Sequence, residues 1–244
     1  MLRMTDLQIE KTSKDKEKLI NIFQQGEGKR PEERTKIIEQ GGLKDICKII
    51  HSSLEGEMNW NKQYLTRIGC EAASALLEEN KESFLFAIEI GGIIDEVISL
   101  LNKLSIENIN YQHLLPLFRI TNFSNFEQRK ILVEKGILKG LSKTFSSEND
   151  VVVSFSVFIA SRILNGIGQL EGEGKLNPLL QELESDGTLT KLVEIFLTDN
   201  FNDIFLKVYS ACSIGRIFKA TQLPVEFGFQ KTTHQFFQKN FFIR

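Results

Sequence analysis

The chain has 244 residues, 41% apolar and 25% charged, with a formal net charge of −2. This suits a soluble globular chain, either one large domain or one extended array. It offers no basic cluster for a multi-phosphate partner, which speaks against nucleic acid, and no run near the ~18 apolar residues of a membrane helix.

The first 18 residues, MLRMTDLQIEKTSKDKEK, lack the apolar core of a signal peptide. Cys47, Cys70 and Cys212 lie far apart among apolar neighbours. They read as small core residues in a reducing compartment, so the expected location is the cytoplasm or the nucleus.

Residues 6–25 predict a capping helix within an N-terminal segment 1–30. Pro31 precedes Glu32 and Glu33 and marks a helix start, with the acids near the positive end. That helix stops at IEQGGLKDICKII (38–50), where two glycines separate it from the next. The break recurs: Gly42, Gly92, Gly136 and Gly187 lead into Leu43, Ile94, Leu138 and Leu189, spaced by 51, 44 and 51 residues. Ile38, Ile88, Leu132 and Leu183 stand four residues before each glycine. After it, apolar residues at i, i+3, i+4 and i+7 line one helical face. Glycine reaches the left-handed conformation and so can end the preceding helix.

Third helices are predicted over 64–79, 111–123, 151–167 and 203–220. Ala72, Ala73, Ala75, Ala160, Ala211 and Cys212 would let neighbouring units approach closely. Pro116 predicts a kink or a late start in the second of these helices. Asn177–Pro178 predicts a further helix start. SSLEGEMNWNKQ (52–63) and GQLEGEGKLN (168–177) read as loops, the first containing Trp60. No stretch alternates with a strand period, so the chain is expected to be all-α.

Three-helix units with a glycine between the first two helices resemble the armadillo repeat. "IEQGGLKDICKII" and "IEIGGIIDEVISLL" are similar to its helix–glycine–helix portion, "CEAASALLEE" resembles its third helix, and "ASRILNGI" carries its asparagine at Asn165. The resemblance covers roughly residues 31–220 as four units. It implies a right-handed superhelical solenoid whose third helices line a concave groove. Residues 221–244 would then be a Phe-rich C-terminal cap or a truncated repeat.

On this resemblance the groove-asparagine positions are Glu78, Arg119, Asn165 and Arg216. One turn earlier come Ser74, Leu115, Ser161 and Cys212, and two turns earlier Glu71, Gln112, Phe158 and Tyr209. The partner-binding candidates are Glu71, Glu78, Gln112, Arg119, Ser161, Asn165, Tyr209 and Arg216; Phe158 and Tyr209 also read as core. The tryptophan that precedes the asparagine in nuclear-import adaptors of this family does not occur here.

No chemistry-bearing motif stands beside these positions. His51, His113 and His234 fall in different units, and no HExxH or cysteine pair occurs. GIGQLEGEGK (166–175) lacks the third glycine and the final Ser or Thr of a phosphate loop. The expectation is a non-enzymatic scaffold, without cofactor or metal, that grips an extended or helical segment of a partner protein. The resemblance also admits a regulator of a small GTPase or other folded client. Nine of the 19 phenylalanines lie in residues 201–244. Phe236, Phe237, Phe241 and Phe242 make that end a candidate for weak self-association.

Overall fold

The computed structural model describes residues 6–89, 91–170, 175–198 and 204–224. Among them every regular element is helical and no strand occurs. The expectations placed on Phe236, Phe237, Phe241, Phe242 and His234 lie outside the described residues.

The helices follow in threes after α1 (Asp6–Gly26). Unit 1 is α2 (Pro31–Glu39), α3 (Gly42–Leu54) and α4 (Trp60–Leu77). Unit 2 is α5 (Ser83–Ile88), α6 (Ile93–Lys103) and, after a 3-10 turn at Ile106–Asn108, α7 (Tyr111–Phe123). Unit 3 is α8 (Phe126–Glu134), α9 (Ile137–Thr144) and α10 (Asp150–Leu170). Unit 4 is α11 (Leu180–Ser185), α12 (Thr188–Leu197) and α13 (Ile204–Ile217).

Gly41, Gly91, Gly136 and Gly187 all have positive φ, between 70° and 94°. Each turns the chain through the left-handed region, which residues with a side chain rarely adopt. In the first two breaks the left-handed residue is therefore the earlier glycine of the pair. The later one is required by crowding: a Cβ on Gly42 would lie 2.9 Å from the Ile37 side chain and 3.0 Å from its carbonyl oxygen.

Two rows of helices stack along the molecule. The second helices α3, α6, α9 and α12 form one, and α1, α4, α7, α10 and α13 the other. Leu43, Ile46 and Ile50, then Ile94, Val97 and Leu101, then Leu138, Leu141 and Phe145, then Leu189, Leu192 and Phe196 are buried between the rows. Ala72, Ala73 and Ala160 are fully buried where third helices touch. Gly69 lets α4 approach α3, because a Cβ there would sit 2.9 Å from Ile50.

The second-helix row is stitched by side chains that cross units. Lys103 donates to the Leu54 carbonyl at 3.2 Å, and Lys143 to the carbonyls of Leu101 and Leu104. Each lysine satisfies the open C-terminal end of the preceding unit's second helix, where a cation also suits the dipole. Lys18–Asp45 and Lys135–Asp95, both at 2.7 Å, and His51–Glu96 at 3.2 Å add further links between neighbouring units.

Several local expectations are corrected. Cys212 is exposed and so is not a core residue, whereas Ala211 is partly buried and packs against the core. Helix α7 begins at Tyr111 and runs through Pro116 without a late start. Asn177 and Pro178 precede α11 by a turn; the Asn177 side chain accepts from Leu179 N–H and donates to the Arg216 carbonyl, both at 3.0 Å. Residues 52–54 belong to α3 and 168–170 to α10, which shortens both expected loops. Trp60 is the first residue of α4, not a loop residue, and Asn59 caps that helix by accepting from Lys62 N–H at 3.0 Å. Helix α10 has an 18-residue window long and apolar enough to cross a membrane, and 61% of it is buried. It is the core helix on which α7, α8, α9 and α13 pack.

Candidate functional site

The third helices α4, α7, α10 and α13 lie side by side, and one stripe of each faces away from the second-helix row. On α4 the stripe is Trp60, Tyr64, Arg67, Glu71, Ser74 and Glu78, at alternating steps of four and three residues. Tyr111, Leu115, Phe118, Arg119 and Asn122 continue it on α7. Val151, Phe155, Phe158, Arg162 and Asn165 do so on α10, and Phe205, Tyr209, Cys212 and Arg216 on α13. Exposure along the stripe runs from the buried Ser74 to the exposed Trp60; aromatics dominate the N-terminal halves of the helices, polar groups the C-terminal ends.

The aromatic half is continuous over three units. Ring centroids lie 5.7 Å apart for Tyr111–Phe155, 5.2 Å for Phe118–Phe155 and 5.3 Å for Phe118–Phe158. Phe158 then meets Tyr209 edge-on at 4.9 Å. On α4, Trp60 stacks on Tyr64 at 5.6 Å. Cations cover these rings: Lys16 and Arg67 lie over Tyr64, both at 5.1 Å, and Arg162 over Phe158 at 4.4 Å. Such contacts hold a cation close to apolar surface without neutralising it.

In the polar half the sequence candidates come together in pairs. Arg119 donates to Ser74 Oγ at 3.2 Å and bridges Glu78 at 2.7 Å. Arg216 donates to Asn165 Oδ1 at 3.1 Å, and Asn165 Nδ2 points to Ser161 Oγ at 3.5 Å. The same device therefore joins units 1 and 2 and units 3 and 4: serine and acceptor one turn apart on one third helix, arginine reaching back from the next. Glu78 is not within α4, as expected, but is its C-cap, because the helix ends at Leu77. Its carboxylate also takes the buried Arg34 at 3.2 Å. Arg34 donates further to the Glu78 carbonyl and to the Gly26 carbonyl, the latter at 3.1 Å. Ser161 is 1% exposed and is withdrawn from any ligand. Glu71, Gln112, Arg119, Asn165 and Tyr209 are half-buried, and Arg216 is exposed.

Beneath this face His113 is 1% exposed between α4 and α7. Asn110 N–H donates to its Nδ1 at 3.2 Å, which leaves the proton on Nε2 to donate to Thr66 Oγ1 at 3.3 Å. Burial, then the charge of nearby Arg67, lowers its pKa to about 4. A neutral, hydrogen-bonded imidazole of this kind is a structural joint. Among the described residues no group of three or more His, Cys, Asp or Glu side chains is placed to hold a metal ion.

Sequence reasoning missed Trp60, Tyr64, Arg67, Tyr111, Phe118, Phe155 and Arg162, and took Phe158 for core. A signal was present: aromatics and arginines recur at i, i+3 and i+4 on the side of each third helix opposite its small residues.

No protein-family model and no curated protein matches the sequence. Solved structures do. A designed armadillo repeat protein in complex with the peptide (KR)4 superposes with a TM-score of 0.66 at 20% identity, covering 91% of this chain and 84% of that one. Computationally designed armadillo repeat proteins for modular peptide recognition give 0.63 at 20% identity, covering 91% and 83%. An engineered protein gives 0.69 at 15% identity, covering 94% and 85%. The chain is thus an all-α, armadillo-like, right-handed solenoid of about four three-helix repeats.

Proposed function

We propose that this chain is a non-enzymatic scaffold that binds an extended or helical segment of a partner protein along the face of α4, α7, α10 and α13, in the cytoplasm or nucleus. One observation carries the reading. Every third helix carries an exposed large apolar residue within its first turn: Trp60 is 73% exposed, Tyr111 39%, Val151 49% and Phe205 65%. Four such residues at the starts of neighbouring helices place apolar surface in solvent along one edge of the face, and surface of this kind is what partners cover. Polar groups at the other edge of the face, Asn165 and the arginines, would orient the segment through its backbone and side chains.

The peptide-binding designs support the plan of the fold, and the surface here adapts it differently. The design noted above holds a peptide of lysine and arginine. This face presents Arg67, Arg119, Arg162 and Arg216, so a uniformly basic ligand is disfavoured by like charge.

Peptide-library display on the full chain tests the reading, beside a Trp60→Ser, Tyr111→Ser, Phe205→Ser variant. Exposed positions change stability by about 0.5 kcal/mol or less each, so the variant keeps its helical circular dichroism. Enriched peptides should bind the parent and protect α4, α7, α10 and α13 from hydrogen exchange, and lose the variant. Equal binding by the variant, or protection confined to the second-helix row, would overturn it.

A further inference from the structure

Arg67 ends on a ring, but Arg162 on this face and Arg129 of the adjacent α8 also feel one another's charge. Arg34 and Arg119 share the Glu78 carboxylate, Arg30 bridges Glu33, and Arg216 donates to Asn165. Arg162 has its guanidinium over Phe158, and Arg129, on α8, reaches only Ser124 Oγ at 3.3 Å and the Phe126 ring. Among the described residues neither meets a carboxylate. The two lie about one turn apart along α10, because Arg129 crosses that helix at Gly166, four residues beyond Arg162. A Cβ on Gly166 would stand 2.5 Å from Arg129 Cδ and 3.1 Å from its Nη1, so the glycine makes room for the arginine. Both guanidinium groups are half-buried, and burial draws both below the usual arginine range, Arg129 further so through the charge of Arg162. Two desolvated cations side by side repel unless an anion joins them. Guanidinium forks match carboxylates in geometry.

We propose that the α7–α10–α13 part of the face takes an acidic segment of a partner protein, in which a Glu or Asp carboxylate sits on Arg129 and Arg162 while a neighbouring aromatic or aliphatic side chain packs on Phe118, Phe158 and Tyr209. This deepens the peptide-binding reading and rests on it. Charge complementarity selects the occupant. The chain's own residues 225–244 hold two lysines and one arginine against one glutamate, the wrong sign for this place. Arg129 and Arg162 lie against the Phe126 and Phe158 rings, so the segment that fits them sets an apolar residue beside its acidic one.

The test uses three fluorescein-labelled octapeptides, (Glu-Phe)4, (Gln-Phe)4 and (Lys-Phe)4, titrated onto the full chain by anisotropy at two salt concentrations. The expected order is Glu over Gln over Lys, with at least tenfold between the extremes and a gap that narrows in high salt. Arg162→Gln and Arg129→Gln should each weaken (Glu-Phe)4 by five- to tenfold while the melting temperature stays within about 3 °C. Lys139→Gln, on the exposed side of α9, should leave binding unchanged. Equal affinities for the three peptides, with the third helices still protected from exchange, would overturn the acidic assignment and leave the scaffold reading standing. No protection of the third helices by any peptide would remove both. A dimer in sedimentation that Arg162→Gln dissolves would seat a second copy there and overturn the proposal. So would a stability loss in Arg162→Gln that vanishes in a Glu171→Gln, Glu173→Gln background, since the carboxylate would then be the chain's own.

Discussion

The two helix rows use the same residue types to opposite ends. On the second-helix row Lys103 and Lys143 finish on helix-end carbonyls of the preceding unit, and Asp45 and Asp95 take Lys18 of α1 and Lys135 from the end of α8. On the third-helix row Arg67 and Arg162 finish on aromatic rings, and large apolar residues stand in solvent. A solenoid needs only neighbour-to-neighbour contacts to hold together. Side chains that satisfy one another across units belong to that task, and side chains left half-satisfied on one continuous face are available for another. Arg119 shows that the division is by partner rather than by position, since it lies on the third-helix row and is held by Glu78 and Ser74.

The sharpest break in the comparison should come from matched truncations. Leu141 is fully buried on α9, so Leu141→Ala is expected to cost about 2–5 kcal/mol through lost transfer energy and a cavity. Phe158→Ala, on the face, removes half-buried ring contacts and is expected to cost about 1 kcal/mol while abolishing capture of library-selected peptides. Chemical denaturation of both variants checks the pair. Equal losses would make the aromatic ladder a second core.

Next in size is acidification at the joint between the α4 and α7 helices. The folded-state pKa of His113 lies below its ordinary 6.5, at about 4. The unfolded chain therefore takes the proton first. Stability from this group is complete above pH 6.5, falls as pH drops towards 4, and levels off below that. The shift corresponds to about 3 kcal/mol. His113→Gln should flatten this part of the stability-against-pH curve relative to the parent, although carboxylates set a common background in both. An unchanged difference between the two proteins from pH 7 to 4.5 would remove His113 from that role.

A smaller loss, about 2 kcal/mol, is expected for Arg34→Met, which strips partners from the Gly26 and Glu78 carbonyls and half of the charge facing the Glu78 carboxylate. Arg119 still holds Glu78, which limits the damage. Removing both arginines should cost more than the sum of the single variants, because the carboxylate is then stranded. Additive losses would show that Glu78 does not couple them.

Much of this architecture was legible because it depends on short-range rules. A glycine break followed by i, i+3, i+4 apolar spacing specifies two helices and their joint, although sequence could not show that Gly41 bears the positive φ while Gly42 is the crowded one. Glu78, Arg119, Asn165 and Arg216 were legible as equivalent positions. Their pairing was not, since it depends on how far one third helix is offset along the next. The aromatic ladder was hidden for a different reason. Helix α10 is apolar nearly all round, so its periodicity cannot say which phenylalanines face inward, and Phe158 resembled core. Trp60 was misplaced because the polar start of α4 mimics a loop; the capping asparagine before it was the available signal.

The smallest expected effect on stability, and the finest probe of the comparison, belongs to Trp60. It is the only tryptophan in the chain and is 73% exposed, stacked on Tyr64 at the first turn of α4. Truncating it to serine removes one exposed stack, so the free energy of unfolding should change by less than about 0.5 kcal/mol. Its fluorescence, by contrast, reports on the face alone. A small quencher such as acrylamide should reach it freely in the unliganded chain. Quenching should fall when a library-selected peptide occupies the α4 end, and stay unchanged when (Glu-Phe)4 binds only across α7, α10 and α13. Protection by both peptides would show one continuous groove whose acidic subsite does not stop at α7. Protection by neither would place Trp60 outside the bound segment and shorten the face to three helices.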